Sequence, residues 1–360
     1  MNLVELFKLC KDRNASDLHL STGAEPLIRV VGQLEKVSDE KLSKEDVHSA
    51  IYSLLNDEQK LRFEKDKELD FSIEVTDIAR FRVNIYSQMR GESAAFRLIS
   101  TQIRKIAELG LPVALETLAL ATKGLVLITG PTGCGKTTTL AAMIDLINEK
   151  KTNHIITIED PIEYIYENKN CLIDQREVGT HTGSFCSALR NALREDPNVI
   201  LIGEMRDLET ISMALTAAET GHLVFATLHT NSASQTINRI VDVFPADQQA
   251  QVKTQLADAI LGIVSQTLIP TMDEKSRLCA IEVLIGTHGI KNLIREGKLH
   301  QLPSLIQTGK KDGMQTMDQA LETLVNEGKI TRDEAAKRAS SSELFKKSDY
   351  GYSYELGRRV

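Results

Sequence analysis

The chain has 360 residues, 42% of them hydrophobic and 26% charged, with a formal net charge of −7. A single core stops growing before that length, so two or more lobes are expected, and the acidic total argues against a protein whose main work is neutralising phosphate backbones. The five cysteines, Cys10, Cys134, Cys171, Cys186 and Cys279, are odd in number and contain no CxxC pair, which speaks against a disulfide framework or a zinc ribbon and for reduced thiols.

MNLVELFKLCKDRN reads as an amphipathic helix over 2–13, and its Glu5, Lys8, Lys11 and Asp12 are foreign to a secretory signal, so a cytoplasmic protein is expected. SDLHLS and PLIRVVGQLEKV follow as strands, 44–66 as helical, then DFSIEV, ARFRVNIYSQ and SAAFRLIS as strands, with Gly32 and Gly91 where hairpins turn. Residues 1–100 thus form a small α+β domain. TQIRKIAELGL, 101–111, loses the alternation and reads as a linker. From Pro112 the rhythm becomes strand then helix: GLVLITG, HIITIED, NVILIGE and HLVFATLHT are the apolar runs of a parallel-rich sheet, and the fold class is α/β. LPVALETLALATKGLVLITG is apolar, but Glu116 and Lys123 interrupt it before it could span a bilayer. DLETISMALTAAETG is a helix, with Asp207 to cap it and Gly221 to end it. A second long helix is expected through QAQVKTQLADAILGIVSQTLI, stopped by Pro270. About 287–360 reads as a C-terminal helical segment, closing on a tail in which Tyr350, Tyr352 and Tyr354 alternate.

Gly130 to Thr137 fits GxxxxGK[ST] between an expected strand and an expected helix. There Gly130, Pro131, Thr132, Gly133, Cys134, Gly135, Lys136, Thr137 and Thr138 form the candidate phosphate-binding segment. Loop amides would cradle phosphate oxygens, Lys136 would bridge two phosphates, and the Thr137 hydroxyl would meet Mg2+. Glu159, Asp160 and Glu163 follow one strand, with Pro161 turning the chain. Glu204 follows another, which is expected to neighbour the P-loop strand and to serve Mg2+ through water. Without a P-loop such carboxylates would be helix caps or solvated turns; beside one they are candidates. His222 and His229 end one strand seven residues apart, on opposite faces and too far apart to share a metal. Arg80, Arg82 and Arg97 lie on strands of the first domain; arginines on a sheet face are normally solvated, yet γ-phosphate hydrolysis gains from one supplied by another domain or subunit.

GPTGCGKTTTLAAM, TIEDPIEY, ALREDPNVILIGEMRDLET and TGHLVFATLHTNSA, in this order, closely resemble the secretion and pilus-motor ATPases, from ASDLHL at the start to GIKNLIREGK near residue 298. The resemblance implies a PAS-like domain followed by a RecA-like domain over 112–360, a homohexamer, and ATP with Mg2+ at subunit contacts. It gives Glu163 the place of the catalytic glutamate, Glu204 the Walker B carboxylate, His222 and His229 the roles of nucleotide sensor or strut, and Arg80, Arg82 and Arg97 a reach into a neighbour's nucleotide. Cys134 departs from relatives that often carry Ser there, which suggests an oxidisable loop. The lack of CxxC, and GIKNLIREGK with Arg295 and Glu296, resemble pilus-retraction motors rather than assembly or secretion ATPases. That implies an inner-membrane platform protein and a paralogous retraction ATPase as partners, peripheral attachment to the inner membrane, and no nucleic acid. Two rivals stand beside this reading: a nucleotide-switched scaffold that modulates a partner motor, and a RecA-like nucleic-acid translocase, which the lack of interleaved basic and aromatic residues disfavours.

Overall fold

The computed structural model describes residues 2–30, 32–76, 78–99, 102–273 and 276–345; the tail tyrosines lie outside them. In chain order come α1 (Leu3–Asp12), β1 (Asp17–Ser21), β2 (Leu27–Val30), β3 (Gln33–Lys36), α2 (Lys44–Tyr52), α3 (Asp57–Asp66), β4 (Glu68–Val75), β5 (Ala79–Gln88) and β6 (Gly91–Ile99). Then follow α4 (Ala114–Ala119), β7 (Gly124–Thr129), α5 (Lys136–Lys150), β8 (His154–Glu159), β9 (Leu172–Glu177), α6 (Phe185–Ala192), β10 (Val199–Ile202), α7 (Leu208–Glu219) and β11 (Leu223–Leu228). The chain continues through α8 (Ala233–Asp242), α9 (Gln249–Ala259), β12 (Ile260–Pro270), β13 (Arg277–Ile285), α10 (His288–Glu296), α11 (Leu302–Thr308), α12 (Met317–Asn326) and α13 (Arg332–Ala336). It divides into two compact units, Met1–Lys105 with Leu140–Glu204, and Ile106–Thr139 with Met205–Val360.

In the first unit β3-β2-β1-β6-β5-β4 form an antiparallel sheet. The period of two sorts its faces. Phe81, Val83 and Ile85 of β5 are fully buried, and Phe7 of α1 stacks on Phe81 with ring centroids 4.4 Å apart. Arg80, Arg82 and Asn84 alternate with them and take the other face. The hairpin glycines stand where the pattern places them, Gly32 at φ +84° and Gly91 at φ +143°. Capping boxes start α2, from Ser43 to Asp46, and α3, from Asn56 to Gln59. The same unit holds three parallel strands: β8 pairs β10 with Ile155 opposite Val199, and pairs β9 with Ile155 opposite Ile173.

In the second unit β7 is buried along its whole length between β11 and β12, both parallel to it, and β13 returns antiparallel to β12. Within this unit the strand order is β13-β12-β7-β11. Asp207 caps α7 by accepting from the Thr210 amide at 2.8 Å, and Gly221 follows the helix at φ +116°.

Two expectations are corrected. The helix to Pro270 ends at Ala259, and Ile260–Pro270 is strand β12. ILGIVSQTLI satisfies a helical stripe and a buried strand equally; the open edge of β7 decides, because pairing there satisfies a row of buried backbone groups. The strand before Glu204 is not the P-loop strand's neighbour either. Both edges of β7 are taken, by β11 and β12. Near the C-terminal side, Arg295 of α10 pairs with Asp258 of α9, and Glu296 with Lys298.

Candidate functional site

The turn from β7 into α5 is made by glycines in conformations that other residues avoid, with φ +143° at Gly130, +75° at Gly133 and +90° at Gly135. A Cβ on Gly130 would strike the Gln266 carbonyl and the Cys134 sulfur. Lys136 folds its ammonium back over the loop, donating to the Gly130 carbonyl at 2.8 Å and the Pro131 carbonyl at 3.1 Å, and lies 3.4 Å from Nδ1 of His229. Sheet register explains that meeting. Leu228 of β11 stands opposite Thr129 of β7, so the next residues, His229 and Gly130, leave the sheet side by side. His222 is not brought there: its ring takes the Ala217 carbonyl at 2.9 Å, at the far end of β11, roughly 20 Å away by strand rise.

β12 braces the loop from its other side, a role hidden in the sequence because this segment also fits a helical stripe. Ser265 and Thr129 share a hydrogen bond of 2.8 Å, and the Gln266 amide nitrogen donates to the Cys134 carbonyl at 2.8 Å. Cys134 is 3% exposed and burial pushes its thiol up, so its thiolate is scarce, against the expectation of an oxidisable loop. Three left-handed glycines, a lysine ammonium and the start of a fifteen-residue helix form a donor set suited to phosphate oxygens. The partly exposed Thr137, in the first turn of α5, adds a hard hydroxyl oxygen of the kind Mg2+ takes.

The carboxylates belong to the first unit. Glu159 closes β8 and is 5% exposed, accepting from the Thr157 hydroxyl at 2.6 Å and the Gln175 amide at 3.3 Å. Burial pushes its carboxyl up to about 7, against those hydrogen bonds and with some help from the charge of Glu163. Glu163 is partly exposed, and its main chain is held on both sides. Before it, the Ile162 amide donates to Glu177 at 3.0 Å; after it, the Tyr166 amide donates to Gln175 at 3.0 Å. Glu177 also accepts from Arg80 at 3.2 Å, Thr180 at 3.0 Å and Ser72 at 3.4 Å, which fastens strands β4 and β5 to the end of β9. Neither Gln175 nor Glu177 carries a motif; only the register of β9 on β8 puts them there. Partly exposed Glu204 follows Gly203, whose amide donates to the Ile158 carbonyl at 2.7 Å and where a Cβ would come within 3.2 Å of that oxygen.

The three arginines share one face of the antiparallel sheet but differ in commitment. Arg80 spends a terminal nitrogen on Glu177, and its Nε is buried without a partner among the described residues. Arg97 turns its Nε to Asp17 at 3.0 Å and is 68% exposed, and Arg82 turns its Nε to Asp70 at 3.8 Å. Arg82 and Arg97 are direct cross-strand partners. In both, the nitrogen that faces the carboxylate is the inner one and not the terminal pair, the fork that grips phosphate.

The model of the family described as "Type II/IV secretion system protein" matches residues 5–345. The chain is 51% identical over 345 residues to the "Type IV pilus retractation ATPase PilT" of Pseudomonas aeruginosa, covering 96% of this chain and 100% of that one. It is 43% identical over 342 residues to the "Type IV pilus ATPase PilU" of the same organism, covering 95% and 90%. Among solved structures, that of the pilus retraction motor PilT with bound ADP matches with a TM-score of 0.90 at 46% identity, covering 96% of this chain and 98% of that one.

Proposed function

We propose that this chain, which belongs to the Type II/IV secretion system protein family and is an ATPase of the secretion type, is the motor that retracts a type IV pilus and so drives twitching motility. The loop that binds Lys136 to the Gly130 and Pro131 carbonyls carries the chemical half of this reading. The near full-length likeness to a retraction ATPase supports the mechanical half.

In this reading six copies close into a ring, and the functional division is a PAS-like domain over 1–100, a linker over 101–111 and the ATPase domain from 112. Gly130 to Thr138 hold the phosphates of ATP, Thr137 and, through water, Glu204 serve Mg2+, Glu163 orients the attacking water, and His229 senses the loop through Lys136. His222 is a strut at the far end of its strand. Arg82 and Arg97 complete the site of a neighbouring copy, and Arg80, held on Glu177, stiffens the sheet that presents them. Among the described residues no helix is long and apolar enough to cross a membrane; we place the ring in the cytoplasm, against an inner-membrane platform protein of the pilus and beside a paralogous ATPase, with no nucleic acid involved.

Phosphate release from purified protein, with mass measured on the same samples, tests the reading. Lys136→Ala should lose nucleotide binding. Glu163→Ala should keep nucleotide and assembly but lose turnover by about a hundredfold or more. Normal turnover in Glu163→Ala would sink its assignment, and a wild type that binds nucleotide without turnover would favour the scaffold reading.

A further inference from the structure

Gln266 sits on β12 with 2% of its surface exposed. Its Nε2 donates to the Cys134 carbonyl at 2.8 Å, and its Oε1 is buried with no partner among the described residues. Turning the amide over would face one acceptor with another. An apolar side chain of similar size would avoid burying that orphan oxygen, so stability alone does not account for an amide at this position.

Peptide geometry says what the donor accomplishes. The Cys134–Gly135 bond is trans, the one cis bond among the described residues being Asp160–Pro161. In a planar trans peptide the C=O and the following N–H point in opposite directions. With the Cys134 carbonyl held against β12, the Gly135 N–H is turned away from β12, and it has no acceptor among the described residues. Gly135 itself, at φ +90°, gives this peptide little resistance to rotation, and a Cβ there would come within 3.3 Å of Gln266 Nε2. The restraint comes from outside the loop. The Ser265–Thr129 bond fixes the register that delivers Gln266 to it.

We propose that Gln266 is a positioning residue for nucleotide binding, which by clamping the Cys134 carbonyl presents the Gly135 N–H to a phosphate oxygen. The proposal rests on the reading of Gly130 to Thr138 as a nucleotide site. The contact it orients exists in the bound ground state and the transition state alike, so its loss falls on binding and spares the chemical step.

The test uses the full chain with Gln266→Leu and Gln266→Met, two replacements of similar size that lack the donor. ADP affinity is measured by calorimetry, KM and kcat for ATP by phosphate release, and the nucleotide-free thermal midpoint on the same samples. In both variants ADP affinity should fall and KM should rise by about tenfold, the cost of one hydrogen bond to a charged group, while kcat stays within about twofold. Wild-type ADP affinity in a variant that keeps its midpoint would overturn the proposal, as would a fall in kcat at unchanged KM. Failure of the wild type to bind ADP would remove the nucleotide reading, and this inference with it.

Discussion

Glu159 is the residue whose surroundings alter its chemistry most plainly. Its carboxyl, ordinarily near 4.5, is raised to about 7 because burial at the end of β8 penalises the charge more than Thr157 and Gln175 relieve it. The native state therefore holds this proton more tightly than the unfolded chain. Stability from this group is complete below about pH 4.5, declines as pH rises toward 7 and is flat above it. Glu159→Gln keeps the acceptor for Thr157 and removes the titration, so its thermal midpoint should lose the downward slope between pH 5 and 7 and exceed the wild type at pH 8, by an energy on the order of 3 kcal/mol. Midpoint curves that run parallel for the two proteins would contradict the assignment. Lys136 turns its ammonium onto two carbonyls of its own loop and lies beside the ring of His229, at the mouth of the turn where a phosphate would enter.

Strand β12 shows how an element the sequence hides can govern one it displays. The P-loop was legible from GPTGCGKT because glycine spacing, lysine and flanking apolar run are all local. Its brace was not, since Ser265 and Gln266 act only once β12 lies along β7, and that pairing joins residues more than a hundred positions apart. The antiparallel sheet, its hairpins and the caps at Asp207 and Gly221 were likewise written locally, whereas the neighbours of β7 and the convergence on Glu177 depend on strand order, which periodicity does not encode. Close packing of β12 can be probed at Gly262, where a Cβ would come within 2.8 Å of Leu118 and 3.1 Å of the Leu284 carbonyl. Gly262→Ala should cost about 1–3 kcal/mol in urea unfolding, with the slope of the transition unchanged. A neutral result would mean that β12 yields easily, and that Gln266 is held less firmly than its burial implies.

At the scale of the whole molecule, an acidic chain carries a basic face. Arg82 and Arg97 stand opposite each other on adjacent strands, an arrangement that costs stability unless anions lie near, and Asp70 and Asp17 supply only part of that neutralisation because Asp17 is shared with Arg29 at 3.7 Å. If the remainder comes from the nucleotide of a neighbouring copy, activity can be restored by mixing two dead proteins. Lys136→Ala and Arg97→Ala, each inactive alone, should recover a measurable part of wild-type turnover when co-assembled, because some contacts then pair an intact loop with an intact arginine. No recovery from mixed assemblies whose mass proves co-assembly would place the arginine's action within one chain. The convergence on Glu177 also bears on how such a chain can change over generations. One carboxylate serves Arg80, Ser72, Thr180 and the Ile162 amide, so replacing it alone strands a nearly buried guanidinium 97 positions away in the chain. A change at 177 alone therefore carries a stability cost that a matching change at 80 would relieve, so the two positions are expected to vary together among related chains.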